Sequence, residues 1–330
     1  TGGVSTVVAS DPSGCAGIKA DSSLTISGGE VLMKSSGQGG KGISCDDVIN
    51  ISGGTIKIQT TGSRYGSSGG GGWRAGNTPG SWDDRNKEND RNNGNSVSPK
   101  GIKGDKNINI SGGEIFVLTK GTNAEGIESK AILSFTGGRT AVSAYDDGLN
   151  AETAITMTGG KVFAMSNGQG DGIDSNGYIS VTGGTMIGVA STMESEEGID
   201  LENSTFTFKN STIISLSGGT TGGGGMGMGM GMGASYNGHY ISNSISGTAG
   251  SYLALTQPGD SIPLVVFSLP RRFQSGSVLL STPTLATGNY TMLSGTAPSG
   301  GIVWMNLYEP KNEGDVIGVS GGRSTTVAAK

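Results

Sequence analysis

Glycine fills 63 of 330 positions, charged residues make up 15% and aromatic residues 5%. Ordinary domains carry about 7% glycine and about 25% charged residues, so a layered fold around a large aromatic core is excluded. Nine prolines and the lack of a three-residue glycine period exclude collagen, and no apolar run is long enough to span a bilayer. A net charge of −5 argues against nucleic acid as the main partner, and two cysteines are too few for a disulfide scaffold.

The chain opens at Thr1 without a basic or apolar leader. The expectation is an extracellular or cell-surface protein whose signal peptide is absent from this sequence. Residues 1–14 read as an N-terminal strand or cap, with apolar alternation at Val4, Val7 and Val8. From 15 to 216 a repeat takes over. A glycine–apolar pair recurs at Gly17-Ile18, Gly42-Ile43, Gly101-Ile102, Gly126-Ile127, Gly148-Leu149, Gly172-Ile173 and Gly198-Ile199. In the first six repeats a Ser/Thr-Gly-Gly corner has its first Gly 11 residues further on, and the period is 22 to 26 residues except for one gap of 59. The seventh repeat has Lys209-Asn210-Ser211 at that corner.

Between these marks apolar residues alternate, as in Leu24/Ile26, Ile49/Ile51 and Ile108/Ile110, with a second pair after each Gly-Gly, such as Ile56/Ile58 and Ile115/Val117. Period-two alternation with glycine corners predicts short strands. One such coil cannot bury its apolar face alone, but stacked coils can. The fold class is therefore an all-β parallel β-helix, or solenoid. Two inward columns follow: Ile18, Ile43, Ile102, Ile127, Leu149, Ile173, Ile199, and the smaller Ala20, Cys45, Gly104, Ser129, Ala151, Ser175, Leu201. Cys45 reads as a small core residue; a bridge to Cys15 is open, although Cys15 is five positions out of register.

The long gap contains a surface insertion, 62–99, with Tyr65, Trp73 and Trp82 as flat faces on which sugar rings can stack. Residues 217–239 are a Gly/Met-rich loop or linker, and His239, the only histidine, reads as a surface residue. Residues 240–330 lose the repeat and form a C-terminal β cap or small β domain, which the exposed end of a solenoid requires.

The residues flanking each glycine–apolar pair carry the chemistry. The first coils are basic or neutral there, with Lys41, Lys100 and Lys103. The last four are acidic: Glu125 and Glu128, Asp147 and Asn150, Asp171 and Asp174, Glu197 and Asp200, with Asp146 and Glu196 beside them. From 122 to 202 there are 12 acids against three bases, Lys130, Arg139 and Lys161. Carboxylates stacked at strand spacing, about 4.8 Å, repel one another. Raised pKa values or bound cations would relieve this, and an all-oxygen donor set suits Ca²⁺. The basic coils are expected to hold none.

Lys100-Gly101-Ile102-Lys103, Ile108-Asn109-Ile110-Ser111-Gly112-Gly113, Asp146-Asp147-Gly148-Leu149-Asn150-Ala151 and Asp171-Gly172-Ile173-Asp174-Ser175-Asn176-Gly177, with Ser281-Thr282-Pro283, Leu285, Gly288 and Tyr290, give the chain a wider likeness. It resembles bacterial secreted carbohydrate-binding β-helix proteins related in fold to pectate lyases. The resemblance implies a right-handed β-helix, several calcium ions on the acidic columns, and binding of polysaccharides such as cellulose or acidic pectin. Two other functions stay open. One is a structural subunit of a fibre built by end-to-end stacking. The other is a polysaccharide lyase, for which Arg139 is the best candidate base.

Overall fold

The structure, a computed structural model, describes residues 4–9, 15–65, 97–193, 196–201, 204–218, 235–295, 298, 300–312, 315–319 and 322–330. Every regular element among them is a β-strand, so none forms a helix able to cross a membrane. The repeat folds as a parallel β-solenoid. Its first face is a seven-stranded sheet of Ala16–Ala20, Lys41–Cys45, Lys100–Gly104, Glu125–Ser129, Leu149–Ala151, Ile173–Ser175 and Ile199–Asp200. The register places Ile18 on Ile43, Ile102, Ile127, Leu149, Ile173 and Ile199 in turn, the column read from the sequence. From Ile43 onward this column is buried.

The second and third faces meet at the Gly-Gly corner. In the early coils one strand runs through it, as in Ile49–Thr60 and Ile108–Thr119. Later coils break there, as in Ile132–Phe135 followed by Arg139–Ala144. The second glycine of each corner has a left-handed backbone, φ 91° at Gly113. The first-face glycine answers a different need: a Cβ on Gly126 would lie 2.1 Å from Val142 Cγ1 and 2.3 Å from the Gly148 carbonyl oxygen. Only glycine lets the third-face side chain and the next coil approach that closely.

Strands from outside the repeat join it at both ends. Val4–Ala9 pairs in parallel with the second half of Leu24–Ser35. At the other end Ser211–Ser217 pairs antiparallel with Phe273–Ser281, which ties the C-terminal region to the last coil. The linker expected over 217–239 is partly a strand: Ser235–Asn237 pairs with Thr205–Phe208, because Tyr236 falls in register with Phe206 and extends its apolar column. Phe206, Phe208, Tyr236 and Tyr240 then close the open core, with neighbouring ring centroids 4.8 to 6.4 Å apart.

The C-terminal strands are antiparallel and cover the outside of the third face. Along that outer column Lys57, Phe116 and Ala141 give way to Phe163, Ile187 and Ile214, and the last three share one core with residues such as Leu253, Phe267 and Leu280. The region is thus a cap that also runs along the solenoid's side. Cys15 and Cys45 are not joined in a disulfide. Cys45 is buried against the Ser22 carbonyl, whereas the Cys15 carbonyl accepts the Lys41 N–H, a rung position well removed from Cys45. The insertion leaves and rejoins through an antiparallel bridge between Tyr65 and Val97.

Candidate functional site

The charged columns lie on the first face, at a register fixed by the buried isoleucines between them. Lys100 stands directly over Glu125 and Lys103 over Glu128. Lys100 is nearly inaccessible to solvent, and its Nζ lies 2.8 Å from Glu125 Oε1 and 3.3 Å from Glu128 Oε2. Lys130 pairs with the other Glu128 oxygen at 2.5 Å. Burial raises the Glu128 pKa, but Lys100, Lys130 and Lys103 outweigh it and hold the group at about 2. For Glu125 burial wins over its one lysine, and Glu128 and Asp147 add to the push, taking it to about 8. The first acidic coil is therefore largely served by lysine. The four acidic coils therefore differ, because Lys100 and Lys103 sit one coil outside the acidic stretch yet stack on it.

Beyond that seam the column continues with Asp147, Asp171 and Glu197, and Lys100 still acts on Asp146 and Asp147. Asp147 Oδ1 accepts the Asp171 N–H at 2.9 Å, and Asp171 Oδ1 accepts the Glu197 N–H at 2.5 Å. Asp147 and Asp171 thus each hold the equivalent amide of the next coil, a role not evident from the sequence. The signal was a backbone N–H at a corner, outside the ladder and in need of an acceptor. Asn150 Nδ2 donates to both Asp147 Oδ2 and Asp174 Oδ2, at 3.2 and 3.1 Å, so the one amide in the column links two acids.

Protons are held tightly here. Burial, then Asp147 and Glu125, lifts Asp146 to about 9. Burial lifts Asp147 to about 6 against the Asp171 N–H and Asn150. Asp171 is pushed well above the carboxylate range by burial and then by Asp147, Asp200 and Asp174. The Glu196 carboxylate acts on Asp146, Asp147 and Asp171 alike, which places it beside them. Glu197 acts on the Tyr236 hydroxyl, toward the capped end.

Ligand oxygens of Asp171, Asp174 and Asp200 lie within 4.8 Å of one another. Oxygens sharing one Ca²⁺ at about 2.3–2.6 Å are at most about 5 Å apart, so the group fits a hard cation. These three residues come from the sixth and seventh coils.

The remaining sequence candidates fall elsewhere. Tyr65 is exposed at the neck of the insertion, while Trp73 and Trp82 lie outside the described residues. Arg139 is on the third face beside Glu114, at 3.8 Å, not on the acidic face. Lys161 is paired with Glu309 and lies 5.9 Å from the Trp304 ring centroid. Of the three bases weighed for lyase chemistry, each has a carboxylate partner.

A family model described as carbohydrate-binding domain-containing protein matches residues 117–223, which span the acidic coils. No curated protein and no solved structure matches the chain. The match and the fold together fit a carbohydrate-binding β-solenoid protein.

Proposed function

We propose that this is an extracellular, calcium-loaded solenoid that binds polysaccharide, cellulose or an acidic pectin-like glycan, without cleaving it. The observation that carries the reading is the coincidence of the carbohydrate-binding match at 117–223 with the carboxylate group of Asp171, Asp174 and Asp200. A cation there would hold these acids ionised, join adjacent coils, and offer an open coordination position to a uronate oxygen. Asp147, Asn150 and Glu196 stand next to the group and would add oxygens to its shell. Tyr65, with Trp73 and Trp82, offers ring faces to neutral sugar surfaces.

The test is co-sedimentation with insoluble cellulose and with pectate gel, in calcium and in excess chelator. Retention on either polymer supports the reading. Passage of the calcium-loaded protein through both would overturn it.

A further inference from the structure

The seventh corner differs from the other six, and the difference faces a cavity. Val181 pairs with Phe208 and Gly184 with Ser211, so Lys209 and Asn210 stand in register with Thr182 and Gly183 of the coil before. Asn210 has φ 51°, left-handed, in a corner where the earlier coils place a glycine in that region, as at Gly184 with φ 85°. Asparagine tolerates this region better than most residues but less well than glycine. The turn itself needs neither side chain. Both line a cavity of about 450 Å³ between the last coil and the C-terminal region.

The cavity has a definite chemical character. Thr182, Lys209 and Asn210 come from the two corners, and His239 and Pro283 from the segments beyond the last coil. No lining residue is acidic. Among the described residues Lys209 has no ion-pair partner. His239 Nδ1 faces the Lys330 carbonyl oxygen at 3.3 Å and the Thr287 hydroxyl at 3.4 Å. A carbonyl can only accept, so in the neutral ring Nδ1 holds the proton and Nε2 is left as an acceptor.

The far wall is held in place without a ligand. Ser281 Oγ donates to the His239 carbonyl at 2.8 Å. The Tyr290 hydroxyl donates to the Ala286 carbonyl and accepts the Ala286 N–H, both at 3.1 Å. A wall fixed in advance loses little freedom on binding. The volume suits about one or two pyranose rings.

We propose that this cavity is a glycan subsite for a sugar unit bearing a negative charge. Lys209 meets the charged substituent, Thr182, Asn210 and His239 meet hydroxyls, and Pro283 meets the apolar ring surface. The proposal rests on the carbohydrate-binding reading above and gives it a location away from the acidic columns.

The test rewrites the seventh corner as a copy of the sixth, Lys209→Thr with Asn210→Gly, which restores the residue types that Thr182-Gly183 already use. Calorimetric titration at fixed calcium uses trigalacturonate and cellotriose as probes. The native protein is expected to bind trigalacturonate at least about tenfold more tightly than cellotriose. The rewritten corner should lose about 10- to 100-fold for trigalacturonate, the scale of a lost hydrogen bond to a charged group, at unchanged melting temperature. Should that variant melt early, His239→Ala on an exposed segment provides the same readout with a smaller loss. Undiminished affinity in both variants would overturn the subsite while leaving carbohydrate binding intact. Equal affinity for cellotriose would overturn its charge preference. Failure of the native protein to bind either oligosaccharide or either polymer would overturn the subsite and the function together.

Discussion

Lys41 and Lys100 occupy the same first-face column as Glu125, and the following coils continue it with Asp147, Asp171 and Glu197. The backbone is the same along the column, but charge is balanced differently in its two parts. At the seam, Lys100 is buried between Glu125 and Glu128; with Lys130 it neutralises Glu128 by direct contact, while Glu125 keeps its proton. Past the seam, acid stands on acid, and neutrality comes from amide donors, retained protons or, as proposed, a cation. The lesson is that a solenoid ladder tolerates either sign, but each rung must find its counter-charge one coil away or from solution.

The sharpest way to break the comparison is to remove the seam. Lys100→Met should cost about 3–5 kcal/mol, because it leaves two buried carboxylates without their shared partner. Adding Glu125→Gln and Glu128→Gln should recover most of that loss, and denaturant unfolding measures both. Cation removal comes next. One calcium site at a hundredfold excess over its dissociation constant stabilises by about 2.7 kcal/mol. Excess chelator should therefore lower the melting temperature, and Asp171→Asn with Asp174→Asn should blunt that response.

Acidity separates individual groups by sign. Glu125 and Asp146, raised to about 8 and about 9, bind protons in the fold that the unfolded chain has released. Without metal, their contribution is present below an ordinary carboxylate pKa of about 4 and is lost as pH rises toward those values. Glu128, held at about 2, works the other way, and its contribution is lost only as pH falls toward that value. Melting temperature in chelator should therefore fall between about pH 5 and about pH 9, and calcium should flatten the slope by displacing the protons. The smallest effect concerns the insertion. Replacing residues 66–96 by Asn-Gly should change stability by less than about 1 kcal/mol, because Tyr65 and Val97 already face each other across an antiparallel bridge. Thermal melting checks the stability. Glycan affinity in the same variant tells whether Trp73 and Trp82 contribute.

The stacked coils were legible because their period is carried by residues with no substitute. Glycine is required where Val142 and the next coil approach Gly126, and Ile102 and Ile127 must face inward. The columns read from that spacing match the pairing register residue for residue. Other features lay outside a single coil's pattern. Counting charge within 122–202 missed Lys100, whose partners are 25 and 28 residues away. The path of the C-terminal region was hidden because it depends on an outward column, Phe163, Ile187 and Ile214, whose meaning appears only against the polar Lys57 of an earlier coil. The cavity was missed because its walls come from segments as distant as Thr182, His239 and Pro283. Its one local sign was a corner in which Asn210 replaces the expected glycine.

The central claim, that the acids past the seam await a cation, is tested most directly by calorimetric titration of calcium into metal-free protein at neutral pH, repeated in two buffers of different ionisation enthalpy. The account predicts saturable binding that releases protons and is lost in Asp171→Asn with Asp174→Asn. No saturable binding at millimolar calcium, or binding that the double substitution leaves unchanged, would contradict it.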